Sequence, residues 1–143
     1  MTTNLRISEA ASLALHAMAL LASGPGQPRA SRDLAQRLGV SGHHLAKVMQ
    51  RLTRAGLVTG RRGPRGGFQL AGRGRATTLL EVYEAVEGPL PGQTCLLGRP
   101  ACSGSCALGG LLGRLAADVR AYLEGATLGE LAAGLGTPDG IAL

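Results

Sequence analysis

Between Ser31 and Leu70 the chain reads as helix, tight glycine turn, helix, strand, glycine-rich tip and strand, an order that few folds accommodate. Ser31 is a candidate N-cap for a short helix, Arg32 to Leu38, with Asp33 near its positive end. Gly39 stops that helix, Val40 and Ser41 complete the turn, and Ser41 caps a second helix over Gly42 to Ala55, with Gly56 as its C′ residue. Leu34, Leu38, Val40, Leu45, Val48 and Leu52 form the set to be buried, which is the helix-turn-helix pattern. Leu57-Val58-Thr59 then reads as a strand, Gly60 to Gly67 as a basic tip and Phe68-Gln69-Leu70 as the return strand. Two strands about such a tip, directly after a recognition helix, make a wing. The expected fold is therefore mainly α: a winged helix-turn-helix domain with a small two-stranded wing, plus a long C-terminal dimerisation helix.

The flanks agree. A first helix runs from about Ser8 to Ser23, with apolar residues at 10, 13, 14, 17, 18 and 21 stepping by three and four, while Glu9, Ser12 and His16 take the same step on another face. Thr78-Leu79-Leu80-Glu81 is a capping box for a helix ending near Glu87. A Gly/Pro-rich loop over 89–104 carries Cys95 and Cys102, and Cys106 lies where a long helix begins, roughly Ser105 to Glu124. Thr127-Leu128-Gly129-Glu130 is a second capping box, for a last short helix to Leu135. The expected organisation is a DNA-binding domain at 1–88, a cysteine-bearing loop at 89–104 and a dimerisation helix with a short C-terminal helix at 105–143. Leu108, Leu111, Leu112, Leu115, Val119 and Tyr122 make one apolar stripe that the helix-turn-helix core has no room for, so a homodimer is expected.

Charge narrows the partner. Residues 29–75 hold eleven bases and one acid, Asp33, whereas residues 76–143 hold three bases and seven acids. A solvated surface mixes its signs; segregation on this scale is the footprint of a polyanion, here double-stranded DNA. The longest near-apolar run, Ala10 to Ala22, is 13 residues, too few to span a bilayer, so no membrane association is expected and the cytoplasm is the expected location. In the recognition helix Ser41, His43, His44 and Lys47 are placed for base edges, and Arg51 and Arg54 for phosphates. Arg61, Arg62 and Arg65 on the wing suit a narrow minor groove.

The thiols are spaced C-x6-C-x3-C, which lacks the paired C-x2-C of a zinc site. Three thiols so close suit an iron–sulfur cluster, and three incidental thiols are the alternative. Cys106 at a helix N-terminus gains from the helix dipole, which favours thiolate. A small cysteine-dependent redox enzyme is disfavoured: there is no C-x-x-C, no base visibly paired to a thiol, and such an enzyme has no use for the charge on 29–75.

Arg6-Ile7-Ser8, the segment SGHHLAKVMQRLTRAGL from Ser41 to Leu57, the wing RRGPRGGFQLAG, the helix TLLEVYEAVEG and the late TLGELA together resemble the Rrf-two family of winged-helix regulators, over about residues 5–135. The resemblance implies a non-enzymatic, homodimeric transcription regulator, expected to act as a repressor. Its operator binding would be tuned by an iron–sulfur cluster, [2Fe–2S] rather than [4Fe–4S], sensing iron–sulfur status, nitric oxide or redox state. Cys95, Cys102 and Cys106 match the family's cluster ligands in number and place. One branch uses a His three residues after the last Cys, where this chain has Gly109; other branches take ligands from the partner's first helix, at positions that fall on Ser12 and His16. His16 is thus the expected fourth ligand. The resemblance also admits a cluster-free regulator controlled by thiol oxidation or a protein partner.

Overall fold

The computed structural model describes residues 7–24, 26–90, 92 and 106–135. Helix α1 (Glu9–Ser23) starts at Ser8, whose hydroxyl accepts from the Ala11 N–H at 3.1 Å and donates to the Glu87 carboxylate. The first turns bury one side, as the three-four step requires, but from Ala17 to Ala22 every residue is buried. Helix α1 is therefore the central post of the core rather than a half-exposed surface helix.

Helix α2 (Ser31–Leu38) begins one residue earlier than expected: Ala30 occupies the N-cap and Ser31 is already helical. The cause is tertiary. Arg29 and Phe68 exchange backbone hydrogen bonds at 2.8 Å in both directions, so the chain enters α2 from an extended bridge that fixes where the helix can turn. Gly39, at φ 64°, closes α2 in the left-handed conformation. Helix α3 (Gly42–Arg54) is capped as expected, Ser41 Oγ accepting from the His44 N–H at 3.1 Å.

Strands β1 (Val58–Arg61) and β2 (Gly67–Leu70) pair antiparallel, Val58 opposite Leu70 and Arg61 opposite Gly67. The wing strands are longer than the sequence suggests and its tip shorter. Gly67 has φ 146°, and a Cβ there would run into the Arg29 carbonyl, so the bridge that sets the start of α2 also demands glycine. A 3₁₀ turn at Gly74–Ala76, unanticipated from sequence, leads into α4 (Leu79–Glu87).

Helices α5 (Ala107–Gly125) and α6 (Leu128–Gly134) complete the described chain. Both capping boxes form, Thr78 with Glu81 and Thr127 with Glu130. The two helix starts are tied together: the Leu79 N–H donates to the Ala126 carbonyl at 3.0 Å and the Leu128 N–H to the Thr77 carbonyl at 2.9 Å. Leu128 and Ala132 of α6 enter the core beside α1.

Of the stripe expected on α5, Val119 packs on the core and Leu112 is half-buried; the side that lies against α4 is completed by buried Ala116 and Leu123, which the stripe did not include. Leu108, Leu111, Leu115 and Tyr122 stay exposed, Tyr122 at 72%. Among the described residues no helix is long and apolar enough to cross a membrane. Cys95, Cys102 and most of the loop around them lie outside the described residues, as does the tail 136–143.

Candidate nucleic-acid interface and cysteine-bearing helix end

Helix α3 buries Leu45, Val48, Met49 and Leu52 and turns its other side outward. His43, Lys47, Gln50 and Arg54, spaced four, three and four, line one groove together with Ser31, Ala46, Thr53 and Phe68. Helix, α2 start and wing base thus share one concave face. Three of the expected contact residues, His43, Lys47 and Arg54, meet there. Gln50 joins them although it is neither a cation nor in the first turns of the helix; its place on the 43–47–54 line is the signal the sequence carries for it.

The remaining expected residues are set apart. Ser41 uses its oxygen to cap α3 and keeps its O–H as a donor. His44 is turned toward α1, its Nδ1 3.6 Å from Glu9 Oε1. Arg51 Nη1 donates to the Val86 carbonyl at 3.0 Å and so closes the C-terminal end of α4. Arg61, at the end of β1, and Arg62 and Arg65, on the tip, are exposed.

Several of the eleven bases work inside the fold. Arg75 donates to the Ala22 carbonyl at 2.8 Å, at the end of α1. Arg29 and Arg37 flank Asp33 at 3.6 and 3.1 Å, and Arg73 meets Glu81 at 3.4 Å. The cations left exposed without these engagements are Arg32, Lys47, Arg54 and the three wing arginines, of which Lys47 and Arg54 line the groove. The acids collect elsewhere. Burial pushes the Tyr83 phenol of α4 above its usual range, and the carboxylates of Glu87 and Glu84 push it the same way.

Exposed Cys106 holds the N-cap of α5 without a side-chain capping bond. The entry to the cysteine loop is clamped: the Leu90 N–H donates to Glu84 at 3.1 Å, and Arg120 donates to the Leu90 carbonyl at 3.0 Å. His16 lies on α1 with its Nδ1 2.7 Å from the Ser12 carbonyl. A carbonyl only accepts, so Nδ1 carries the proton and Nε2 of the neutral ring keeps a lone pair. Glu9, Ser12 and His16 line one small pocket with Leu13, Leu38 and Val40, which joins the face read from α1's sequence to the helix-turn-helix corner. Among the described residues no three His, Cys, Asp or Glu side chains form a metal-binding group.

Comparison with known proteins places this arrangement. IscR of Aliivibrio salmonicida is 32% identical over 101 residues, 69% of this chain and 60% of that protein. BadM of Rhodopseudomonas palustris is 35% identical over 83 residues, 58% of this chain and 53% of BadM. The chain thus spans between half and about three-fifths of the length of these curated relatives. The global cysteine regulator CymR of B. subtilis superposes with a TM-score of 0.78 at 28% identity, covering 92% of this chain and 98% of that one. These relatives are regulators rather than enzymes. Residues 7–134 match the Rrf2 family, described as iron-dependent transcriptional regulators, and the chain belongs to that family.

Proposed function

We propose that this chain is a homodimeric, cytoplasmic transcription regulator, acting as a repressor, that grips duplex DNA through α3 and the wing. An iron–sulfur cluster responsive to iron–sulfur status, nitric oxide or redox state sets its operator affinity. The observation that carries the DNA-binding part is the groove: His43, Lys47 and Arg54 stand on one line of α3, with Arg61, Arg62 and Arg65 exposed on the adjoining wing. His43 and Lys47 read base edges with the Ser41 hydroxyl at the helix start, Arg54 and the wing arginines neutralise phosphates, His44 is held toward Glu9 of α1, and Arg51 holds α3 against α4. The exposed apolar side of α5 pairs with its copy.

The donor set fits a cluster. Cys106 sits where the helix dipole favours thiolate, and the His16 Nδ1 bond to the Ser12 carbonyl leaves Nε2 as the ring nitrogen that can bind a metal. Cys95, Cys102 and Cys106 of one subunit and His16 of the partner subunit are the assigned ligands, and mixed thiolate and imidazole ligation is the pattern of a [2Fe–2S] centre. When bound, the cluster supplies a one-electron redox centre. The protein's own part is to hold the loop at Leu90 and to set the His16 tautomer through Ser12.

A second reading, a cluster-free regulator controlled by thiol oxidation or a protein partner, is favoured by the likeness to CymR along nearly its whole length and by the exposure of Cys106. Purification without oxygen separates the two. A visible absorbance band with bound iron and sulfide supports the cluster. A colourless protein whose DNA affinity changes on thiol oxidation supports the second reading. Absence of salt-dependent affinity for any duplex overturns both.

A further inference from the structure

We infer that Gln50 is a specificity-determining residue that reads an adenine in the major groove, next to the base pair met by Lys47. The inference deepens the DNA-binding reading above and rests on it. Gln50 is exposed, sits in the same groove as His43, Lys47 and Arg54, and continues their line along α3. From residue 43 to residue 50 the helix rises about 10 Å, the height of about three stacked base pairs. Lys47 and Gln50, three residues apart, therefore face neighbouring pairs.

The chemistry separates the two. An ammonium only donates, which matches the O6 and N7 acceptors of guanine. A carboxamide donates and accepts side by side, which matches N7 and N6–H₂ of adenine. Its neighbours are otherwise engaged. Arg51 bonds the Val86 carbonyl, and the Thr53 hydroxyl donates to the Met49 carbonyl at 2.8 Å. The Gln50 side chain has no hydrogen-bond partner among the described residues, so its amide is available to a ligand without breaking a bond of the fold. A neutral amide adds nothing to counterion release, so its contribution is preference for a base rather than general affinity.

The test is selection by the intact protein from a pool of randomised duplexes, followed by affinity measurements on the selected duplex and on copies changed one base pair at a time. For the unmodified protein, replacing one A·T pair next to a G·C pair costs about 5- to 150-fold. Gln50→Ala loses that discrimination and keeps the same dependence of affinity on salt. Gln50→Glu shifts the preferred base at that position from adenine to cytosine, whose N4 donates to a carboxylate. Both variants keep the melting temperature of the unmodified protein, since residue 50 is exposed. Unchanged base preference in Gln50→Ala, or a uniform loss across all duplexes, overturns the inference while leaving the DNA-binding reading intact. Failure of the unmodified protein to enrich any sequence or to bind duplex in a salt-dependent way overturns the reading itself.

Discussion

His16 donates its Nδ1 proton to the Ser12 carbonyl at 2.7 Å, one helical turn back, and that bond decides what the other side of the ring offers. Nε2 is left as the possible metal donor of a residue that shares a pocket with Glu9 and Ser12. If this nitrogen completes the cluster, His16→Ala reconstituted without oxygen yields less bound cluster, an altered visible spectrum and a shifted reduction potential, because the iron loses its imidazole ligand. Unchanged iron content, spectrum and potential in His16→Ala would remove this residue from the site. The sequence was sufficient to put Glu9, Ser12 and His16 on one line of α1. It was silent on the tautomer, and on His44 turning toward Glu9 rather than into the groove, because both depend on atoms brought together only by folding.

Arg51 and Arg54 lie one turn apart on α3 and were indistinguishable as strings of letters. Folding separates them: Arg51 reaches the end of α4, and Arg54 stays in the groove. Arg51→Ala removes a charged donor from the Val86 carbonyl and costs about 1 kcal/mol, a melting point lower by a few degrees. Arg54→Ala leaves the melting point in place and weakens binding to all duplexes alike, with a shallower dependence on salt. Equal thermal effects from the two substitutions would contradict the division. What was legible at this scale follows from local chemistry. Ser41, Gly39 and the two Thr–Glu capping boxes act within a few residues, so the helix ends they set were visible in advance. The exceptions have long-range causes. Ala30 rather than Ser31 caps α2 because Phe68 holds Arg29, and Arg51 and Arg75 cap helices that the sequence places 35 and 53 residues away.

At the scale of the whole molecule, periodicity on α5 gives the apolar stripe from Leu108 to Tyr122 but misses the side that this helix buries in its own subunit. Its Ala116, Val119 and Leu123 side is already spent on α4 and the core, while Leu108, Leu111, Leu115 and Tyr122 face outward. Three leucines and a tyrosine on one line of a single helix make an apolar surface that a lone subunit leaves in water, and symmetric pairing covers it on both copies at once. Each leucine is worth about 1.5–3 kcal/mol when fully buried, and the two-fold axis counts every substitution twice. Leu111→Asp therefore weakens the dimer by at least about 3 kcal/mol, more than a hundredfold in dissociation constant. Because Leu111 is exposed in the single chain, the variant keeps its helical content and its thermal transition becomes that of a monomer. DNA binding responds in a characteristic way: affinity for a palindrome falls steeply, while affinity for an isolated half-site changes little, since each head keeps its own groove and wing. Sedimentation of both proteins at micromolar concentration decides the matter. A monodisperse monomer for the unmodified chain would show that α5's outer side serves another partner, and a dimer for Leu111→Asp would place the two-fold contact elsewhere on the molecule.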